Sequence, residues 1–85
     1  MEIRYRARFL REYRKLSLAI QHAAEAKEAI FCANPFDGRL KTHKLHGPLS
    51  DFYAFSVTYR FRIIFAFLEG DIVEFYSVGD HDIYD

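Results

Sequence analysis

Residues 52–78 read FYAFSVTYRFRIIFAFLEGDIVEFYSV, and this stretch decides the fold. Three runs rich in aromatic and β-branched residues, Phe52–Thr58, Phe61–Leu68 and Ile72–Val78, follow one another with only short connections between them. Glu69-Gly70-Asp71 has the composition of a tight hairpin. The runs therefore predict a three-stranded antiparallel meander. Side chains alternate across a strand, so the meander has two unlike faces. One carries Tyr53, Phe55, Val57, Phe61, Ile63, Phe65, Phe67, Val73 and Phe75, and needs a helical cover. The other carries Ala54, Ser56, Thr58, Arg62, Ile64, Ala66, Glu74, Tyr76 and Val78. It is smaller and partly polar, and is expected to stay open as a cradle for an extended ligand.

The cover comes from the first half of the chain. Glu2–Tyr5 alternates charged and apolar side chains and reads as a short first strand. From Ala7 the period changes: Phe9, Leu10, Tyr13 and Leu16 fall on one side of a helix, with Arg8, Arg11, Arg14 and Lys15 on a solvated face. Ser17 suits the cap of a second helix, whose stripe is Ile20, Ala23, Ala24, Lys27, Ile30 and Phe31, with Lys27 snorkelling at its edge. Asn34-Pro35 ends it, because the residue before proline disfavours the α region. The expected fold class is α+β: a short strand, an αα-hairpin, then the meander with the helices on one face.

Eighty-five residues read as one domain, 1–85. With 51% hydrophobic and 18% aromatic residues, the apolar load is heavy for that size and predicts a patch that a partner covers. The single cysteine, Cys32, leaves no intramolecular disulfide and fits a reducing, cytoplasmic setting. No signal-peptide pattern follows Glu2, and the longest uncharged apolar run, Ile63–Leu68, is too short to span a bilayer. The expectation is a soluble protein with no membrane partner. Net charge is zero, yet all twelve Lys and Arg lie between Arg4 and Arg62, while residues 63–85 hold six acids and no base. This balance argues against indiscriminate polyanion binding and allows a local basic groove.

The chemistry gathers at Lys41–Gly47, where Lys41, His43, Lys44 and His46 crowd together. Imidazoles exchange protons near neutrality, and the neighbouring amines suit an anionic substrate. A basic surface loop would carry the same residues. His43, His46 and His81 with Asp80 or Asp82 could in principle hold zinc, but neither a helical His-x-x-x-His nor a Cys-x-x-Cys pair is present, so the metal signal is weak and no metal ligand is expected. There is no nucleophile elbow and no glycine-rich phosphate loop. RNA cleavage without a metal or other cofactor needs less: a base for the 2′-hydroxyl, an acid for the leaving oxygen, and cations on the phosphate. Histidines 43, 46 and 81, Lys41, Lys44 and Arg62 supply those groups. Tyr53, Tyr59, Tyr76 and Tyr84 offer stacking surfaces, with Tyr84 singled out.

The order of elements, with Lys44-Leu45-His46-Gly47, Phe61-Arg62-Ile63-Ile64-Phe65, and Val78-Gly79-Asp80-His81 followed by Tyr84, resembles the RelE/ParE superfamily of toxin–antitoxin toxins. The closest branch by this reading is the RelE and YafQ-like ribonucleases. The resemblance implies a toxin that cleaves messenger RNA, usually in the ribosomal A site, and a cognate antitoxin that wraps around it. It implies His81 as the general acid or base near the C-terminus and His43 as its counterpart before the second strand. Arg62 is implied as the transition-state arginine. His46 is the reserve, since extended backbone sends residues 43 and 46 to opposite faces. Lys41, Lys44, Arg60 and Tyr84 complete the expected substrate contacts.

The chain departs from the YafQ pattern, which uses a histidine late in the second strand and an aspartate before the third; Ser56 and Arg60 stand there. RelE carries an arginine near the position of His81. Two other readings stay open: a ParE-like gyrase poison without nuclease chemistry, and an inactive toxin-like binding module. The histidines favour the nuclease, since gyrase binding has no need of them.

Overall fold

The computed structural model describes residues 1–80. Strand β1 (Glu2–Tyr5) leads into helices α1 (Ala7–Arg14) and α2 (Leu18–Ala33). A 3₁₀ turn at Gly38–Leu40, strand β2 (His43–Lys44) and a second such turn at Gly47–Leu49 follow. Strands β3 (Tyr53–Ser56), β4 (Phe61–Phe67) and β5 (Ile72–Asp80) form the expected meander. The sheet is wider than the meander, in the order β1-β5-β4-β3-β2. β1 pairs in parallel with β5, and the two-residue β2 adds antiparallel to β3. So short a strand leaves no periodicity to read in Lys41–Gly47.

The helix ends follow from local chemistry. The Ser17 side chain accepts from the Ile20 N–H at 3.2 Å and starts α2. The carboxamide of Gln21 donates to the carbonyls of Tyr13, which already accepts from the Leu16 N–H, and of Leu16, at 3.1 and 3.2 Å, and so ties the start of α2 to the end of α1. The Tyr13 hydroxyl adds a bond across the same junction, to the Gln21 carbonyl at 3.3 Å. Asn34 caps the far end of α2, as its proline neighbour demands.

The core is aromatic. Phe31 from α2 lies among Phe55, Phe65 and Phe75 from three strands, with ring centroids 4.9 to 5.5 Å from it. All four are fully buried. Each contributes about 1.5–3 kcal/mol by leaving water, and the offset and edge-on pairings add to that. Phe9 of α1, Ala24 of α2 and Leu40 of the first 3₁₀ turn close the same cluster.

Two details of the sheet correct the alternation read from sequence. Phe65 pairs with Phe75 but Ile64 pairs with Ser77, which leaves Tyr76 as the extra residue of a β-bulge. Beyond it every side chain of β5 changes face, so Val78 joins the core and Ser77 takes the opposite side. The opposite face is also less open than expected. Ala54, Ile64 and Ser77 are buried there. Phe52 reaches Tyr76 from across β4, ring to ring at 4.9 Å, and the Arg6 and Arg8 guanidiniums lie over the Tyr76 ring. The cradle is thereby confined to the Arg62 end of the sheet.

Where β1 stops, α1 takes over the edge of β5. The Glu12 carboxylate accepts from the Ser77 hydroxyl at 2.6 Å and from the Val78 N–H at 3.2 Å. No described helix is long and apolar enough to cross a membrane.

Candidate functional site

At the Arg62 end the register builds a row. Ser56 stands opposite Arg62 on β3, and Gly79 stands opposite it on β5. A glycine there puts no side chain beside the guanidinium stem. Arg62 is half-buried, on the face away from the helices as the alternation demands. Its Nε is sealed from solvent and has no hydrogen-bond partner among the described residues. A buried donor left unpaired costs about 1–3 kcal/mol, so this group is set for an acceptor that the described chain does not supply.

Arg62 also borders a cleft of about 250 Å³, lined with it by Ser56, Thr58 and Tyr59 on the sheet side and by Lys27, Arg39 and Lys41 on the other. Lys27 reaches in from α2, with its Nζ donating to the Arg39 carbonyl at 3.2 Å. Arg39 is held by Asp37, whose carboxylate accepts from the guanidinium twice at 3.0 Å and from the Arg39 N–H at 2.9 Å. Those side-chain bonds first, then the backbone one, bring the Asp37 carboxyl down to about 2. Lys41 has φ 53°, the left-handed region that glycine prefers and here the only non-glycine residue in it among the described residues. Strain of this kind, of order 1–2 kcal/mol, is held in the turn that brings Lys41 to the cleft. Tyr59, at the β3–β4 hairpin tip, is 93% exposed, too much for a packing role.

His43 stands one step away on the same face. It pairs with Ala54, which shares Arg62's side of the sheet. Its Nδ1 lies 3.0 Å from the Lys41 carbonyl oxygen. A carbonyl only accepts, so in the neutral ring Nδ1 carries the proton and Nε2 the lone pair.

Three other expected residues, Lys44, His46 and Arg60, are not brought to the cleft. Lys44 pairs with Tyr53 and therefore sits on the helix side of the sheet edge. His46 is exposed at the start of the Gly47–Leu49 turn and makes no capping bond. Arg60 is exposed and paired with Asp80, Nε to Oδ2. His81 and Tyr84 lie outside the described residues. Lys27 and Arg39 were not among the expected site residues. Arg39 was legible only in the Asp37-Gly38-Arg39 turn, and Lys27 only as a lysine on an apolar stripe. Among the described residues no three His, Cys, Asp or Glu side chains gather as a metal site.

No family profile matches the chain, and no curated protein does. Solved structures do. A YoeB/ParE toxin from Agrobacterium tumefaciens superposes with a TM-score of 0.80 over 95% of this chain and 99% of its own, at 15% identity. YafQ from E. coli strain BL21(DE3) gives 0.77 over 99% and 98%, also at 15% identity. The fold is RelE-like. The archaeal RelE–RelB complex from Pyrococcus horikoshii OT3 contains a chain of the same RelE-like fold, with a TM-score of 0.75 over 93% of this chain and 92% of that one, at 13% identity.

Proposed function

We propose that this chain is the toxin of a type II toxin–antitoxin pair and acts as an endoribonuclease on messenger RNA. The observation that carries the reading is Arg62, its Nε unpartnered, bordering a cleft ringed by Lys27, Arg39 and Lys41, with the His43 imidazole on the same face. A phosphodiester satisfies that donor and those charges. The RelE-like fold supports the reading, since it is shared with toxins, two of which are known in complexes with partner proteins, RelE with RelB and YafQ with DinJ.

In this mechanism the RNA backbone lies over the Arg62 row. Arg62 and His43 are separated by two strand spacings and one two-residue step, about 12 Å between Cα atoms, with room for a phosphodiester between their side chains. His43 Nε2 takes the proton of the 2′-hydroxyl, whose oxygen attacks phosphorus. The bond to the 5′-oxygen breaks, and that oxygen takes a proton from a general acid. The products are a 2′,3′-cyclic phosphate and a 5′-hydroxyl. His81, which directly follows Asp80 in the chain, is the proposed acid, and Tyr84 a further substrate contact. Arg62 and Lys41 hold the non-bridging oxygens as charge builds on them. Tyr59 stacks on a base.

The test is cleavage of a reporter messenger RNA by purified protein, with and without translating ribosomes. The expected fragments end in a 2′,3′-cyclic or 3′-phosphate, their yield is unchanged by a chelator, and Arg62→Ala abolishes them. Intact RNA in both settings, together with inhibited gyrase, would replace this reading with the ParE-like one.

A further inference from the structure

A second cavity, also of about 250 Å³, opens on the helix side of the sheet, between α1 and α2. Its wall is aromatic. Phe9 lies centrally, with Tyr5, Tyr13 and Phe75 around it at centroid distances of 5.5 to 5.9 Å. Its rim is acidic. Glu25 and Glu28 are three residues apart on α2 and so share one face of the helix. Each is held in place by a phenol: the Tyr13 hydroxyl donates to Glu25 at 3.1 Å and the Tyr5 hydroxyl to Glu28 at 2.6 Å.

Each carboxylate spends one of about four acceptor positions on its tyrosine, so acceptor capacity is left over at the rim. Among the described residues neither has a basic partner, although the first helix is rich in arginine. Two like charges at this spacing repel, and a cation between them relieves the repulsion. Of the rings that line the cavity, Tyr5 and Tyr13 are not buried, and their faces attract the same cation. Burial and the adjacent carboxylates push both phenols up, which keeps them neutral donors.

We infer that this cavity receives an arginine or lysine side chain presented by a protein segment. A protein source follows from size and surroundings. The cavity is smaller than the roughly 300–1,000 Å³ typical of small-molecule pockets. Leu10 and Tyr5 extend its lip as exposed apolar surface on which residues flanking the cation pack. The site is separate from the Arg62 cleft and does not depend on the nuclease reading.

The test is amide NMR of the labelled protein titrated with four probes: N-acetylarginine amide, its neutral citrulline analogue, tetramethylammonium, and the capped tripeptide Leu-Arg-Leu. The expected result is saturable shifts around Tyr5, Leu10, Tyr13, Glu25 and Glu28 with the arginine probes. The tripeptide should bind about tenfold tighter than the amide, because its leucines use the lip. Citrulline should fail, and the E25Q/E28Q double variant should lose about tenfold in affinity with its circular dichroism unchanged. Equal binding of citrulline, indifference to the double variant, or no shifts would overturn the proposal. Tetramethylammonium binding as tightly as the tripeptide would overturn it too, and assign the cavity to small organic cations.

Discussion

The imidazole of His43 is tied to the backbone of Lys41, its Nδ1–H donating to that residue's carbonyl across 3.0 Å. A single bond thus couples the orientation of the proposed base to the left-handed turn that carries the cleft lysine. His43→Asn keeps a donor for the carbonyl and has no lone pair to take a proton. Single-turnover RNA cleavage should fall by a factor of about 10²–10⁴, with folding intact. A rate within a few-fold of wild type would remove His43 from the mechanism.

Lys41→Gly separates the backbone from the charge. Glycine adopts φ near 53° without strain, so stability should hold or rise by up to about 1 kcal/mol in urea unfolding. Cleavage should nevertheless drop at least tenfold, since the cation is gone and the His43 tether loosens. A variant both less stable and fully active would contradict the strain argument and the charge argument together.

Arg62 predicts a similar opposition between stability and activity. Arg62→Met fills the same stem without a sealed donor, so unfolding free energy should rise by about 1–3 kcal/mol. RNA cleavage should disappear. Arg62→Lys should restore little, because an ammonium cannot match the planar donors of a guanidinium. Calorimetry and cleavage assays on the same preparations decide this.

Acid should loosen the turn that holds Arg39. The Asp37 carboxyl titrates at about 2 in the folded chain and near 3.9 when unfolded, so its contribution is present above the unfolded value. It is lost as pH falls through the folded one. Wild type should therefore exceed Asp37→Asn in stability above about pH 4, and the two should converge toward pH 2. Carboxyl NMR titration reads the residue directly, and an ordinary aspartate midpoint would dismiss the effect.

Much of this architecture was legible in the chain. The meander, the αα-hairpin, the Ser17 cap and the stop at Asn34 follow from short-range rules that tertiary contacts did not override. Arg62's face follows from strict alternation on β4, a strand that the bulge leaves regular. What failed has physical causes. Tyr76 shifts the period of β5 by one, and nothing in Phe75-Tyr76-Ser77 announces it. β2 has only two residues, and β1 finds its partner seventy positions away, at Ile72. The cleft joins Lys27, Arg39 and Lys41 through a 3₁₀ turn whose placement depends on the burial of Leu40. Lys44 left the expected group because pairing with Tyr53 sends its side chain to the other face.

The Glu12 carboxylate at Val78 also bears on how the molecule avoids its own kind. An unpaired strand rim is a template onto which another chain can add, and a fold with five strands has two such rims. On one side β1 is four residues long and carries Glu2 and Arg4, and past its end Glu12 occupies the N–H that a further strand would need. On the other, β2 presents two residues before the chain turns away. Among the described residues neither rim offers the long, flat, apolar ladder on which sheets grow into fibrils, an arrangement that opposes edge-to-edge joining in a chain this rich in phenylalanine.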